Sequence, residues 1–529
     1  METQNISAPT EKEANIMYET IEKLNKRKSN LLKSPNIVNI INIVEEFIKD
    51  NKLICYGGMA INNILPPNKQ FYNKDLEFPD YDFFSSNAYD DAKKLADVYY
   101  KKGFDNVEAK SGMHEGTYKV YVNFLPVADI TQMHNIFFKN LKKTAIDVND
   151  ILYCPPNFLR MSMYLELSRP LGDITRWEKV FYRLQLLNKE YPLNKLNINK
   201  CNNLTLHNNK YNKTNNNTYE KIRDTLIENK VLFFGGYASF LYSNYLKKNK
   251  KLKNIFNFDV FHTDPLKCCQ FINDKFDDNK FDLVYKKFNS IGELIPMHYK
   301  VYVNDTLYAT IFKPNACYSY NIHTINKKKI KIATIYTMLS MYLTYLFINN
   351  DEYDKDKILC MAELIYDIYL KNKTKNKGIL KTFSVKCYGK QEDFSDILEE
   401  KNKKYEELKK NKNSEDFKKL FLKYNPMSKN KTKGGGQTSK NMVLYYFYFD
   451  ECPYCQKFNK TWENKVINCK KLKNIQKKKI HKNDKLTTDM NVSTFPTLIL
   501  HDGVTNHNYS DTYDERNLKN IIKFVTNIN

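Results

Sequence analysis

An internal duplication dominates this sequence. Tyr56-Gly57-Gly58-Met59-Ala60 recurs as Phe234-Gly235-Gly236-Tyr237-Ala238, and Asp80-Tyr81-Asp82-Phe83-Phe84 as Asn257-Phe258-Asp259-Val260-Phe261. Tyr118-Lys119-Val120-Tyr121-Val122-Asn123 returns verbatim as Tyr299-Lys300-Val301-Tyr302-Val303-Asn304. Met161-Ser162-Met163-Tyr164-Leu165 returns as Leu339-Ser340-Met341-Tyr342-Leu343. The order is the same in both copies and the offset stays at about 180 residues. Four ordered matches are hard to obtain from compositional bias, so residues of about 50–190 and 225–370 read as two copies of one unit. Whatever that unit folds into, the chain must build it twice.

Each unit reads as mixed α/β. Leu53–Tyr56 is a short apolar strand running into a Gly-Gly turn, and a helix follows through Leu65 until Pro66-Pro67 stops it. A strand at 80–84 carries two acids, 88–102 is a Lys-rich amphipathic helix, and 117–124 alternates at strand period. Residues 10–50 carry a helical pattern, with apolar positions at Ile40, Ile41, Ile43, Val44 and Ile48.

The chemistry concentrates in the first copy. On a strand, Asp80 and Asp82 point to one side, and like charges that close repel unless a cation lies between them. Asp129, from a neighbouring strand, adds a third carboxylate and completes an oxygen cage for a divalent metal. Gly57 and Gly58 allow backbone N–H groups to approach a polyphosphate. Together these are the parts needed to transfer a nucleotidyl group. In the second copy Asp80 becomes Asn257 and Asp129 becomes Thr310, leaving Asp259 alone. That copy reads as scaffold or as a surface for nucleic acid.

Charge points the same way. The chain of 529 residues has a formal net charge of +24, which suits a polyanionic partner, although Lys- and Asn-rich usage also reads as an AT-rich genome. Only seven arginines occur, and four cluster at Arg160, Arg169, Arg176 and Arg183. Rigid bidentate binding of phosphate or a buried ion pair would each explain that cluster. No apolar run reaches the ~18 residues of a membrane span; the closest, 330–348, reads as a buried helix, and the N-terminus has no signal-peptide pattern. The eleven cysteines are scattered, which suggests a reducing compartment rather than a disulfide framework.

The expected organisation is a helical region at 1–50, a first unit at 51–190, an Asn/Lys-rich loop at 191–220 and a degenerate second unit at 221–375. A Lys-rich helical extension (397–425) and a Gly-rich linker fill 376–440, and a separate module occupies 441–529. In that module a strand at Met442–Asp450 leads to Cys452-Pro453-Tyr454-Cys455, a helix from Gln456, a Pro-led strand after Phe495, and a closing helix at 515–528. This is a thioredoxin-like pattern, and the Cys-Pro-Tyr-Cys sequence resembles glutaredoxins. A redox pair, half of a zinc site and an inactive docking module are all compatible with Cys452 and Cys455; Tyr446 stands where thioredoxins often carry a buried acid.

The glycine turn and the acids of the first unit resemble the DNA polymerase β-type nucleotidyltransferases. Tyr56 to Asn62, Pro79 to Ser85 and above all Phe158 to Val180 are similar to the poly(A) polymerase catalytic subunits of large cytoplasmic DNA viruses, of mimivirus type and more distantly poxvirus type. The resemblance covers about residues 10–390. It implies template-independent addition of AMP from ATP to RNA 3′ ends, with Asp80, Asp82 and Asp129 as ligands for Mg2+ or Mn2+ and Gly57 and Gly58 facing the phosphates. It also implies a viral protein of the host cytoplasm or virion, acting either as a homodimer or with a processivity partner. A CCA-adding, uridylyl-adding or 2′-5′ oligoadenylate enzyme, or a non-catalytic RNA-binding scaffold, are the alternatives. The C-terminal module departs from the usual family architecture.

Overall fold

A computed structural model of the chain describes residues 10–193, 216–246, 257–276, 282–348, 354–426, 442–473, 475–490, 492–501, 506–509 and 515–528. The chain divides into two compact units, Met1–Lys431 and Thr432–Asn529. Most of the Asn/Lys-rich stretch expected at 191–220, and the Gly-rich linker at 429–439, lie outside the described residues.

The larger unit opens with α1 (Glu11–Leu32) and α2 (Pro35–Asp50). The expected single helical region is two helices because Ser34 is extended and Pro35 starts a new first turn. Thr10 and Glu13 close a capping box on α1. α2 buries Ile37, Ile40, Ile43, Val44, Phe47 and Ile48, the stripe its sequence period requires.

Then come β1 (Ile54–Cys55), α3 (Gly57–Ile64), β2 (Tyr81–Ser85), α4 (Ala88–Lys101), β3 (Val107–Ser111), β4 (Thr117–Val122) and β5 (Leu125–Gln132). α5 (Asn135–Thr144), β6 (Ile146–Val148), β7 (Ile151–Tyr153), α6 (Pro156–Leu167) and α7 (Trp177–Glu190) complete the first copy. The second copy repeats the series: α8 (Asn216–Glu228), β8 (Leu232–Phe234), α9 (Gly235–Ser243), β9 (Phe258–Phe261), α10 (Pro265–Lys275), β10 (Leu283–Phe288), β11 (His298–Val303) and β12 (Thr306–Phe312). It ends with β13 (Tyr318–Ile325), β14 (Lys328–Ala333), α11 (Ile335–Tyr345) and α12 (Lys355–Asn372).

The two sheets have the same topology. Strand order 3-4-5-2-1-7-6 in the first matches 10-11-12-9-8-14-13 in the second. In each, two strand pairs are parallel (β2 with β5 and β1 with β7; β9 with β12 and β8 with β14), and the central pair between them (β1 with β2, β8 with β9) and the outer hairpins are antiparallel. Even the irregularities repeat: register shifts between Val120 and Tyr121, and again between Val301 and Tyr302. Both hairpins turn through two left-handed residues, Asn123-Phe124 and Asn304-Asp305, the geometry that suits strand twist. The copies pack through α6 against α11 and the turn that follows it, where Tyr164 meets Tyr336 at 5.1 Å and Phe158 meets Phe347 at 5.3 Å between ring centroids.

The segment expected as one buried helix at 330–348 is strand β14 followed by α11, because Ile330 and Ile332 alternate with lysines and Thr334 caps the helix. Every residue of α11 is buried. Two of its hydroxyls are satisfied within the helix, Thr344 donating to the Ser340 carbonyl and Ser340 to that of Thr337. Among the described residues no helix is long and apolar enough to cross a membrane.

β15 (Cys387–Tyr388) adds to the β13 edge, where Cys387 forms a disulfide with Cys317, a pairing that the scattered cysteines did not foretell. The Lys-rich extension is not one helix: α13 (Phe394–Leu408), a 3-10 turn at Lys409–Asn411, α14 (Glu415–Leu420) and a short β16 (Lys423–Tyr424) that pairs with β3.

The smaller unit holds β17 (Val443–Tyr448), α15 (Pro453–Thr461), β18 (Gln476–His481), α16 (Lys485–Asp489), β19 (Thr497–His501), β20 (Asn506–Asn508) and α17 (Leu518–Ile528). Its sheet order is 18-17-19-20, with β17 and β18 parallel and the rest antiparallel. α15 starts at Pro453 rather than Gln456, because Cys452 itself is the N-cap, and α17 starts at Leu518 rather than 515. Leu444, Tyr446, Trp462, Leu498, Leu500 and Phe524 form its separate core.

Candidate active site

The parallel pairing of β2 and β5 sets Asp82 directly beside Asp129. Asp80 lies two residues upstream of Asp82, one residue before the strand begins. Gly57 closes the site from the β1 side. Its φ is +73°, and a Cβ there would stand 2.8 Å from Asp82 Oδ2, so both conformation and space call for glycine. Tyr56 N–H donates to the Asp82 carbonyl at 2.9 Å, and its hydroxyl is hydrogen-bonded to that of Thr131 at 2.8 Å.

The three carboxylates share one electrostatic field. Burial, then Asp80 and Asp129, push the Asp82 carboxyl up to about 7. Burial and Asp129 raise Asp80 as well. Lys119, opposite Asp129 on β4, donates its Nζ proton to Asp129 Oδ2 at 2.5 Å. Burial opposes the Lys119 charge, yet the bond to Asp129 leaves its pKa above the usual lysine value. Among the described residues no three His, Cys, Asp or Glu side chains converge in the arrangement of a bound metal ion. The carboxylates are therefore neighbours rather than a closed cage. Their chemistry fits a hard divalent cation: an all-oxygen donor set whose negative charge the protein offsets only in part.

Sequence alone did not single out Lys119, although its recurrence as Lys300 was a usable signal. In the second copy Thr310 stands beside Asp259 and opposite Lys300, in the same register. Asn257, Asp259, Lys300 and Thr310 are each at most 1 % exposed, so this counterpart is sealed from solvent. Burial pushes Lys300 down to about 8 against the pull of Asp259.

The four clustered arginines separate by environment. Arg160 is buried and donates to Asn188 at 3.0 Å, to Asn157 and to the Tyr191 carbonyl, which is a structural role. Arg169 lies beside Tyr318 of the second copy. Arg176 pairs with Glu166 at 3.1 Å and lowers the Asp82 carboxyl through its field. Arg183 reaches the glycine turn: a Cβ on Gly58 would stand 2.7 Å from its Nη1.

In the smaller unit Cys452 and Cys455 are both free thiols. Cys455 N–H donates to Cys452 Sγ at 3.2 Å at the start of α15. Burial, together with the Cys452 bond, pushes the Cys455 thiol up to about 11. Tyr446 donates to the Cys455 carbonyl at 3.2 Å, and Cys452 lies 3.7 Å from the Phe495 carbonyl that precedes the cis-Pro496 peptide.

Acids on adjacent parallel strands behind a glycine turn, on a mixed sheet built twice, define a duplicated nucleotidyltransferase fold; the smaller unit is thioredoxin-like. Residues 42–173 match the family model of the poly(A) polymerase catalytic subunit, and residues 432–526 match that of thioredoxin. A protein of Acanthamoeba polyphaga mimivirus described as a poly(A) polymerase catalytic subunit is 33% identical over 158 residues, 29% of this chain and 26% of that protein. One of African swine fever virus with the same description is 32% identical over 174 residues, 32% of this chain and 36% of that protein. The chain thus spans about a quarter to a third of the length of these relatives. The crystal structure of the Megavirus polyadenylate synthase superposes with a TM-score of 0.64 over 82% of this chain and 89% of that one, at 18% identity, which establishes a shared fold. The first unit of this chain is thus similar in sequence to viral poly(A) polymerase catalytic subunits.

Proposed function

We propose that the first unit is a template-independent polynucleotide adenylyltransferase that adds AMP from ATP to RNA 3′ ends in a viral mRNA-processing role. The observation that carries the reading is the Asp82–Asp129 register across β2 and β5, with Gly57 packed against the Asp82 carboxylate. The RNA 3′-hydroxyl oxygen bonds to the α-phosphorus, the bond to the β-phosphate bridging oxygen breaks, and pyrophosphate leaves. Asp80, Asp82 and Asp129 would hold Mg2+ or Mn2+. Bound there, such ions lower the pKa of the attacking hydroxyl and offset charge on the leaving group. Asp129, next to the attacking oxygen, accepts the hydroxyl proton. The Gly57 and Gly58 backbone faces the phosphates. Lysines around the cleft bind the RNA backbone, so RNA affinity falls steeply with salt.

The relatives' viral origin supports assigning the chain to a large DNA virus; action in the host cytoplasm or virion, as a homodimer or with a processivity partner, is part of the proposal. Cys452 and Cys455 are proposed as a redox pair. The test is extension of a short RNA with each of the four labelled nucleoside triphosphates, wild type beside Asp82→Asn. Long tails from ATP alone, reduced at least ~100-fold in the variant, are expected. Incorporation of CTP or UTP would move the reading to another 3′-end nucleotidyltransferase. Undiminished extension by the variant would remove Asp82 from the mechanism.

A further inference from the structure

The glycine turn has an occupant on each side. Gly57 makes room for the Asp82 carboxylate. At Gly58 the space a Cβ would take is filled from α7, by Arg183 Nη1 at 2.7 Å and by the Tyr72 hydroxyl. Gly58 therefore admits a guanidinium to the turn, rather than only baring its own backbone.

That guanidinium is positioned but not neutralised. Its Cζ lies 4.6 Å from the Phe71 ring centroid and 5.2 Å from that of Tyr72, and Nη2 donates to the Tyr72 hydroxyl at 2.9 Å. Aromatic rings and a phenol fix its plane without cancelling its charge. Among the described residues Arg183 pairs with no carboxylate, whereas Arg176 is held by Glu166. A guanidinium carries five N–H donors in a planar fork suited to phosphate oxygens, and among the described residues the one hydrogen bond to Tyr72 leaves most of them available.

The second copy supplies an internal comparison. By order of elements α12 is the counterpart of α7. It contains no arginine, and it buries Met361, Leu364 and Ile365 instead. The copy that lost two of its three acids also lacks this arginine.

We propose that Arg183 anchors the triphosphate of the incoming nucleotide, gripping its outer phosphates beside Gly58 while the acids hold the reacting end. This rests on the nucleotidyltransferase reading above. It assigns to the triphosphate a positioning residue that the acid and glycine motifs do not contain. The Tyr72–Phe71 shelf orients the fork, so the contact is specific to the polyphosphate and indifferent to the base.

The test is calorimetric binding to the full chain with Mg2+ present, using ATP, AMP and inorganic tripolyphosphate as separate probes. Arg183→Gln should weaken ATP and tripolyphosphate at least tenfold and change AMP by less than twofold. Arg183→Lys, which keeps the charge and loses the fork, should recover part of the loss. Melting curves of both variants separate this from a folding defect, which would weaken all three probes together and overturn the assignment. Equal tripolyphosphate affinity in wild type and Arg183→Gln would also overturn it. A wild-type chain that binds neither ATP nor tripolyphosphate would overturn the nucleotidyltransferase reading, and the role of Arg183 with it.

Discussion

Asp82 is the residue on which the proposed chemistry turns, and its environment makes it titrate far from its usual range. Its folded pKa of about 7 lies above the ordinary 3.8, so the native state holds that proton more tightly than the unfolded chain. The stability of metal-free protein should therefore fall as pH rises from about 4 to about 7 and level off above that. Asp82→Asn removes the penalty. With chelator present it should raise stability at pH 8 by on the order of 1 kcal/mol and change little at pH 4. Melting curves at the two pH values check this, and identical curves for wild type and variant at pH 8 would contradict it. The cysteines behave as an unequal pair: Cys455 is held protonated, whereas Cys452 caps a helix N-terminus. Brief alkylation at pH 7.5 followed by peptide mass spectrometry should label Cys452 before Cys455. Equal labelling would argue against a nucleophilic first cysteine. At this scale the residue types were legible in the sequence, since Asp80, Asp82, Asp129, Gly57 and Gly58 stand out by spacing, and Asp80 and Asp129 also by their replacement in the second copy. Lys119 and Arg183 were not assigned, because their roles depend on which strand or helix lies opposite.

Among the elements, β16 gains its meaning from its partner. Lys423 and Tyr424 pair with the edge of β3, and Ser111 N–H donates to the Leu422 carbonyl at 3.0 Å. Lys401 donates to the Gly112 carbonyl at 2.7 Å, Lys404 pairs with Glu115 at 2.9 Å, and Tyr424 bonds Asp97. This strap covers a strand edge that would otherwise be open to pairing with another chain. Ending the larger unit at residue 389 should lower its melting temperature by several degrees and produce aggregates on size exclusion. Lys404→Ala alone should cost less than ~0.5 kcal/mol, as expected for an exposed pair. A monodisperse truncation with unchanged melting would show that the strap is dispensable. Sequence pattern located most elements but misread 330–348 and 397–425. Continuous apolar character does not distinguish a buried strand followed by a buried helix from one long helix. Nor does local sequence reveal that Lys423 and Tyr424 extend a sheet whose edge strand lies some three hundred residues earlier.

The whole molecule consists of a duplicated α/β body and a smaller thioredoxin-like unit with its own core. Residues 1–431 and 432–529, expressed apart, should each melt cooperatively, and the larger piece should keep the nucleotide addition proposed for it. Loss of cooperativity in either piece, followed by circular dichroism, would show that the units need each other to fold. By itself the sequence determined that one unit occurs twice, that its first copy holds the acids, and that a Cys-x-x-Cys strand–helix module follows. Repetition, alternation and helix-capping chemistry are local, so they are written in neighbouring residues. Only the tertiary structure decided that Asp82 and Asp129 are register partners, that Lys119 pairs with Asp129 from the neighbouring strand, and that Arg183 fills the space beside Gly58. Those relations depend on which distant segments pack together, and packing is settled by burial summed over the whole core.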